Sequence, residues 1–231
     1  MTKLEIESIQ IVDEADVARS AADLIASRLR QAVAARGKAS IALSGGNTPR
    51  RIYAELATLP VEWERVDVFF GDERCVPADD ASSNYRMAKE ALFDRVRVPN
   101  VFRMEGERVD LGQAAEEYAQ KLPGAVDLIL LGMGEDGHTA SLFPGNDWSR
   151  PTGRRVIVVK GAPKPPPVRM SVTPDVIWAA RARLIVTTGE GKAQNVRRAL
   201  EGDACPAVYP IHTARNATWL IDRAAAALLS H

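Results

Sequence analysis

Cysteine, unbalanced charge and long apolar segments are scarce or missing in this sequence. Its 231 residues include only two cysteines, Cys75 and Cys205, which form neither a disulfide framework nor a zinc-type spacing. Lys plus Arg and Asp plus Glu number 30 each, so the basic excess of a nucleic-acid-binding protein is lacking. The N-terminal stretch resembles no signal peptide, and no later run reaches membrane-spanning length. We expect a cytoplasmic protein without nucleic-acid or membrane partners, in which a few local groups hold any anionic ligand.

What the sequence does contain is an alternation of short apolar runs with amphipathic stretches. The runs have the length of buried strands, and most of the stretches between them repeat small and apolar residues at helical spacing. Such an alternation favours a parallel sheet covered on both faces. We predict a single α/β domain over residues 1–231. Its predicted strands are 40–44, 66–72, 126–132, 155–161, 183–189 and 217–221, and its clearest helices are 17–36, 83–96, 112–122 and 192–202.

One segment, residues 161–174, departs from this alternation because it contains three consecutive prolines, 165–167. Consecutive prolines exclude helix and favour a stiff, extended chain. A linker between domains is one interpretation, but the segment is short and is flanked by strand and helix signals. We predict a rigid loop within one domain that presents Lys164 and Arg169.

In a parallel sheet, ligands bind beyond the carboxyl ends of the strands, so the residues after each predicted strand are informative. The first strand is followed by Ser44, Gly45 and Gly46, and then by Thr48 and Pro49 before an amphipathic helix. Thr48 suits a helix N-cap, and Pro49 suits the first helical position. Glycines ahead of a helix N-terminus favour anion binding, although the Lys-Ser/Thr pair of a Walker A loop is missing. The stretch is either a phosphate site or a plain strand–helix turn.

Three charged residues and a cysteine follow the next strand, from Asp72 to Cys75. Arg74 either pairs with a neighbouring acid on the surface or enters the cleft as an anion-binding donor. Cys75 beside an arginine has one feature of a reactive thiol, but no histidine partner can be tied to it.

The stretch LLGMGEDGHTASLFPG, residues 130–145, follows the third strand and carries the spacing G-x-G-x-x-G. A dinucleotide site needs a helix after those glycines and an acid at the end of the next strand. Pro144 and Gly145 interrupt any such helix, and the next strand ends in Lys160. We therefore interpret the glycine match as accidental.

The same stretch also brings Asp136 and His138 to a strand end. A histidine can take a proton from water and return it near neutral pH, and a carboxylate can fix its tautomer. A hydrogen-bonded structural histidine is the alternative, but its position among glycines beyond a buried strand favours catalysis.

Two further cations follow other strands, Arg169 in the proline-rich loop and Lys192 at the start of a helix. A lysine is disfavoured at a helix N-terminus by the helix dipole, so a functional reason for it is expected. Each cation alone is also compatible with a solvated surface charge. Together with the Gly45-Gly46 turn they predict one phosphate pocket.

Five stretches together resemble the 6-phosphogluconolactonases, which belong with glucosamine-6-phosphate deaminases and ribose-5-phosphate isomerases to a wider group. The stretches are LSGGNTP, GDERCVP…SNY, GMGEDGHTASLFPG, KPPPVRMSVT and GEGK, in order between about residue 40 and residue 202. The resemblance implies a three-layer αβα sandwich with a Rossmann-like, mostly parallel sheet. It also implies hydrolysis of 6-phospho-D-glucono-1,5-lactone in the pentose phosphate pathway, with no cofactor and no metal, by a monomer or weak homo-oligomer.

The resemblance also implies roles for matching residues. His138 is expected to act as general base on water, with Asp136 and Arg74 as further catalytic groups. Arg74 would bind the sugar acid or the phosphate. The expected substrate-binding residues are Ser44, Gly45, Gly46, Thr48, Asp72, Arg169 and Lys192. One departure is Asp80, since the family often has a histidine between VP and SNY, and this puts a role for that position in doubt.

Two alternatives remain open at this stage. Similar deaminases carry a glutamate five residues after the histidine, where this chain has Phe143, although Asp72 could supply a carboxylate base for their chemistry. The second alternative is a regulatory module that binds a sugar phosphate but has an inactive site. A zinc hydrolase is disfavoured, because the three histidines, His138, His212 and His231, lack the usual ligand spacing.

Overall fold

The computed structural model describes residues 3–230, which contain ten named strands. They are β1 (Ile6–Val12), β2 (Ala39–Leu43), β3 (Val66–Phe70), β4 (Asp72–Arg74), β5 (Asn100–Val101), β6 (Leu128–Leu131), β7 (Val156–Val159), β8 (Arg169–Val172), β9 (Arg183–Thr187) and β10 (Ala217–Asp222). Seven form one sheet in the order β1-β10-β9-β6-β2-β3-β5, and every neighbouring pair is parallel. Strands β2 and β6 are buried along their whole length, as their nearly unbroken apolar sequences require.

Helices cover both faces of this sheet. They are α1 (Glu14–Arg36), α2 (Asn47–Leu56), α3 (Asn84–Ala88), which continues as a π-helical turn (Lys89–Phe93), α4 (Leu111–Lys121), α5 (Pro174–Ala179), α6 (Ala193–Glu201) and α7 (Arg223–Ala226). Short 3₁₀ turns lie at Trp63–Arg65, Glu190–Lys192 and Pro210–Thr213. Helix α1 ends at Gly37, whose φ of 77° is the left-handed conformation that a glycine C-cap provides.

Two hydrophobic cores lie on opposite faces of the sheet. Neighbouring residues of one strand point to opposite faces, so Ile41 of β2 packs with α1 and α2 whereas Ala42 packs with α4 and α6. Strand β10 divides in the same way, with Leu220 in the first core and Trp219 in the second. The three layers confirm the predicted αβα sandwich.

The remaining three strands form a separate antiparallel sheet in the order β4-β8-β7. This corrects two predictions. The predicted strand 155–161 does not join the parallel sheet, because the proline-rich connection to β8 contains no crossover helix and returns the chain antiparallel. Residues 169–172, predicted as loop, are strand β8, whose sequence RMSV mixes polar with apolar residues although all four are buried.

The predicted strand 66–72 also divides at Gly71. Strand β3 stays in the parallel sheet, while β4 begins at Asp72 and pairs with β8. The amide of Gly71 donates to Leu43 O at 2.7 Å, and its carbonyl accepts from Val172 N at 2.8 Å. This one residue therefore ties the two sheets together beside the ends of β2 and β3.

Residues 1, 2 and 231, including His231, lie outside the described residues, and the single domain over 1–231 stays a prediction. Within residues 3–230, no helix is long and apolar enough to cross a lipid bilayer.

Candidate active site

The carboxyl ends of β2, β3, β6 and β9 open into one cleft of about 510 Å³. This is the edge at which parallel sheets bind ligands. Nine of the ten predicted site residues line the cleft: Ser44, Gly45, Gly46, Thr48, Asp72, Arg74, His138, Arg169 and Lys192. The tenth, Asp136, is not part of the lining and contacts His138 instead.

A larger groove of about 1020 Å³ runs beside α4 and β7. Its lining includes Asp110, Glu116, Arg154 and Lys160 but no histidine, serine or cysteine. Size alone therefore does not identify the site, because only the smaller of these two cavities combines a histidine with the glycine turn at the carboxyl ends of the parallel strands.

The turn after β2 leads directly into helix α2. Gly46 occupies the N-cap position with φ 114°, a conformation that favours glycine, and the helix begins at Asn47. The prediction of Thr48 as N-cap is therefore wrong, because the helix starts two residues earlier than that prediction requires. Thr48 lies in the first turn, and its Oγ1 is 3.4 Å from Oγ1 of Thr188, at the end of β9. The first amides of α2 remain suited to an anion.

The same turn is fixed from two sides. The Tyr53 hydroxyl donates to Ser44 O at 2.7 Å and accepts from Ser44 N at 2.9 Å. On the other side the Asn84 carboxamide packs so closely on Gly45 that a Cβ there would overlap it. Glycine at this position is required by close approach, not by its backbone angles.

Asp72 is buried, with only 5 % of its surface exposed. One carboxylate oxygen accepts from Ser141 Oγ at 2.6 Å, and the other accepts from Asn84 Nδ2 at 3.2 Å. Both oxygens are thus engaged, which fixes the carboxylate at the wall of the cleft.

Arg74 and Arg169 lie opposite each other on the antiparallel strands β4 and β8. Arg74 donates to Ser82 O at 2.7 Å, and it forms no salt bridge with an acid within residues 3–230, so the surface ion-pair alternative is wrong. Arg169 donates from Nε to Pro166 O at 3.1 Å and from Nη2 to Lys164 O at 2.9 Å. Burial and the Arg74 charge lower the pKa of the Arg169 guanidinium. The paired positive charges favour an anion between them.

Lys192 ends the 3₁₀ turn ahead of α6, as predicted for a helix start. Burial lowers the pKa of its ammonium, which the charges of Glu135 and Asp136 partly counteract. Nearby, Lys164 Nζ lies 3.6 Å from a carboxylate oxygen of Glu135. Lys192 itself has no acid within salt-bridge distance among the described residues, and its charge faces the cleft.

Asp136 and His138 are in direct contact. Nδ1 of His138 lies 2.5 Å from Oδ1 of Asp136, and the same oxygen accepts from the His138 backbone amide at 3.1 Å. Burial alone would raise the pKa of the Asp136 carboxyl, but the histidine charge and these hydrogen bonds lower it overall. An ionised Asp136 holds the proton on Nδ1, so Nε2 keeps its lone pair for the cleft.

The His138 ring is confined by its neighbours. Its centroid is 4.7 Å from that of Phe143, and a Cβ at Gly134 would overlap the imidazole. Phe143 is five residues after His138, the sequence position at which similar deaminases carry a glutamate, and it presents an apolar ring to the imidazole.

Two other interpretations of the sequence motifs can be judged directly. No helix follows Gly137 before β7, and β7 belongs to the antiparallel sheet, so a dinucleotide-binding unit is absent from this part of the described chain. Burial, with the charge of Glu73, raises the pKa of the Cys75 thiol to about 11, which keeps it protonated and unreactive near neutral pH.

Within residues 3–230, no group of three or more His, Cys, Asp or Glu side chains is arranged to hold a metal ion. His212 is buried, with Nδ1 accepting from Cys205 N at 2.9 Å and Nε2 at 3.2 Å from Ala199 O. It therefore has a structural role away from the cleft.

Sequence reasoning missed Asn84 and Ser141, which hold Asp72 from either side. Both lie inside motifs that were recognised, SNY and GHTAS. Their membership of these motifs was the only available signal, because only folding brings positions 72, 84 and 141 together.

The fold and the motifs agree with known proteins. A sequence model of the family described as glucosamine-6-phosphate isomerases/6-phosphogluconolactonase matches residues 12–221. The chain belongs to this family. The 6-phosphogluconolactonase of Streptomyces coelicolor is 39% identical over 241 residues, covering 94% of this chain and 92% of that protein.

Solved structures of this family have the same architecture. A 6-phosphogluconolactonase from Shewanella baltica superposes with a TM-score of 0.87 at 27% identity, over 96% of this chain and 99% of its own. A monomeric glucosamine-6-phosphate deaminase reaches a TM-score of 0.83 over 96% of this chain and 99% of its own, but at 22% identity it shows the fold alone. The predictions of family, fold and type of enzyme are confirmed, whereas the roles of individual residues stay predictions.

Proposed function

We propose that this protein hydrolyses 6-phospho-D-glucono-1,5-lactone to 6-phospho-D-gluconate, a step of the pentose phosphate pathway. The proposal depends on one observation: His138, held by Asp136, lines the same cleft as the Gly45-Gly46 turn. Relatives named 6-phosphogluconolactonase support the substrate. The cytoplasmic location and the monomeric or weakly oligomeric state stay predictions.

The phosphate is proposed to bind at the Gly45-Gly46-Thr48 turn. Amides at the start of α2 and the Thr48 hydroxyl donate to its oxygens, while Lys192 and Arg169 neutralise its charge. Nε and Nη2 of Arg169 already donate to carbonyls of its own loop, so Nη1 is the nitrogen proposed to serve the ligand. Phosphate binding would orient the lactone carbonyl toward His138.

His138 is proposed to act as the general base. Asp136 keeps the imidazole proton on Nδ1 of His138. Nε2 is then free to remove a proton from a water molecule that attacks C1 of the lactone. The resulting tetrahedral oxyanion is stabilised by backbone amides or by Arg74. The protonated ring then gives its proton to the departing ring oxygen, which completes hydrolysis without a cofactor.

The deaminase alternative is less well supported by the geometry. Aldose–ketose chemistry needs a carboxylate that is free to remove a carbon-bound proton. Both oxygens of Asp72 already accept hydrogen bonds, and Phe143 lies where the deaminases have their glutamate. Lactone hydrolysis needs only a base, a water molecule and oxyanion donors.

A direct assay separates these possibilities. Freshly prepared 6-phosphogluconolactone, unphosphorylated gluconolactone and glucosamine 6-phosphate are each offered to the enzyme, with correction for spontaneous hydrolysis. We expect rapid turnover of the first, slow turnover of the second and no ammonia from the third. Ammonia release would establish the deaminase, and binding without any turnover would establish a regulatory module.

A further inference from the structure

The loop from Gly132 to His138 carries the proposed acid–base pair, yet an external contact fixes its centre. Asn195 of α6 donates from Nδ2 to the backbone carbonyl of Glu135 at 2.5 Å. Glu135 immediately precedes Asp136, so this hydrogen bond fixes the peptide from which the Asp136 side chain projects. Asn195 lies one helical turn after Lys192, the N-cap of α6, which lines the cleft.

Asn195 is in turn oriented by Tyr209. The phenolic hydroxyl of Tyr209 donates to Oδ1 of Asn195 at 2.6 Å, which leaves the amide nitrogen directed at Glu135. The guanidinium of Arg198 lies over the tyrosine ring, 4.5 Å from its centroid. The ring is also buried and lies against Gly137, so packing holds it independently of its hydroxyl.

The other side of Asp136 is anchored to the same region. Gly137 O accepts from Ile211 N at 2.9 Å, and a Cβ at Gly137 would come within 2.6 Å of the Tyr209 ring. Within the loop, Gly134 N donates to His138 O at 2.8 Å and so closes it into a compact turn. The residues on both sides of Asp136 are thus held by groups outside the loop.

We propose that Asn195 and Tyr209 are positioning residues for the Asp136–His138 pair; this rests on the proposed role of His138 as base. The Asp136 carboxylate is half-exposed and is hydrogen-bonded only within its own loop among the described residues, so its own contacts cannot fix where the loop lies. The hydrogen bonds from Tyr209 to Asn195 and from Asn195 to Glu135 supply that constraint. A small displacement of a catalytic group is enough to cost about a hundredfold in rate.

Tyr209→Phe is the decisive variant, because it removes only the hydroxyl and keeps the ring against Gly137 and Arg198. We expect kcat for 6-phosphogluconolactone to fall about tenfold to a hundredfold with little change in KM. Asn195→Ala should lower kcat by a similar factor. The variant that carries both substitutions should have a kcat only slightly below that of either single variant, since both residues act through the same chain of hydrogen bonds. Gln194→Ala, an exposed change on the same helix, is the matched control and should leave kcat and KM unchanged.

A second measurement does not depend on turnover. The ¹⁵N resonances of the His138 ring, assigned by their loss in His138→Asn, report which ring nitrogen carries the proton. We expect a single Nδ1-protonated tautomer in the wild type and a mixture in Tyr209→Phe and Asn195→Ala. Wild-type tautomer signals in both variants would overturn the inference, even if kcat fell. A fully active His138→Asn enzyme would instead disprove the proposed role of His138 as base, and the ring resonances would still decide whether Asn195 and Tyr209 position the ring.

Discussion

The two ends of the cleft are built differently. At the proposed phosphate end, a glycine turn that leads into a helix N-terminus and two cations can offer several donors to one ligand, and they come from three separate segments. At the acid–base end, one imidazole is held by one carboxylate at 2.5 Å and confined by Phe143. Where several donors serve one ligand, removing one of them should weaken substrate recognition only partly. Where a single group carries the proton, removing it should abolish nearly all of kcat. The following predictions test that contrast, beginning with the largest effect.

His138→Asn should lower kcat by about 10²- to 10⁴-fold, because a positioned base contributes that much and asparagine cannot take up a proton. His138→Ala should behave alike, and KM should stay nearly constant in both. A base acts only when unprotonated, so wild-type kcat should fall as the pH drops through the range in which histidines take up a proton. Steady-state kinetics corrected for spontaneous hydrolysis measure both effects. Wild-type kcat in the asparagine variant would remove His138 from the mechanism.

Lys192→Ala and Arg169→Ala should each weaken recognition of the phosphorylated lactone by about ten- to a hundredfold in kcat/KM, as expected for a hydrogen bond with a charged partner. The double variant should narrow the ratio between phosphorylated and unphosphorylated lactones further. Lys192→Arg, which keeps the charge, is the control. An unchanged preference for the phosphorylated lactone would mean that the phosphate lies elsewhere.

Gly45→Ala should destabilise the fold by about 1–3 kcal/mol, because its Cβ would overlap an Asn84 carboxamide that Asp72 also holds. Phosphate binding should weaken with it, since the turn must move. Gly132→Ala is the matched control: it lines the same cleft, but its Cβ would meet no atom within 4 Å. Chemical denaturation of both variants measures the difference, and equal stabilities would show that Gly45 has room for a side chain.

A modest pH effect is expected at the phosphate end. Burial lowers the pKa of Lys192, so this lysine loses its charge at a lower pH than a free lysine does. Affinity for the stable product 6-phosphogluconate should therefore fall as the pH rises into that range. Calorimetric titration with 6-phosphogluconate measures the fall, and gluconate serves as the control ligand. Lys192→Arg should abolish the pH dependence, because arginine stays charged.

The smallest expected effect is that of a chelator. Water activation by an imidazole needs no Lewis acid, so EDTA should leave kcat unchanged. Activity that disappears with EDTA and returns with zinc would contradict the acid–base mechanism, though not the identity of the substrate.

The sequence predicts those parts of the fold in which burial of an apolar run alone determines the secondary structure. Apolar runs ending in glycine identified the carboxyl ends of β2, β6 and β9, and so the position of the cleft. Strand β1 was missed because its sequence IESIQIV mixes charges and polar residues into a partly exposed edge strand. Strand β8 was missed because the prolines just before it indicate a loop, whereas its strand conformation comes from pairing with strands distant in the sequence.

Within the site, residue types could be predicted but their contacts could not. Asp136 and His138 were named together, yet only the closed turn from Gly134 to His138 brings the carboxylate onto Nδ1. Asn195 and Tyr209 belong to no recognised motif, because their function depends on where α6 packs. Contacts between residues distant in sequence leave no local pattern from which to predict them.

The facing arginines of β4 and β8 have a practical consequence for handling this enzyme. Arg74 and Arg169 repel each other, and this repulsion adds to burial, the larger cause, in lowering the pKa of Arg169. Sulfate or phosphate in a buffer would relieve that repulsion, raising the melting temperature while competing with substrate. A buffer that contains such an anion therefore stabilises the protein but raises the apparent KM for the substrate. Kinetic constants measured in different buffers are not directly comparable.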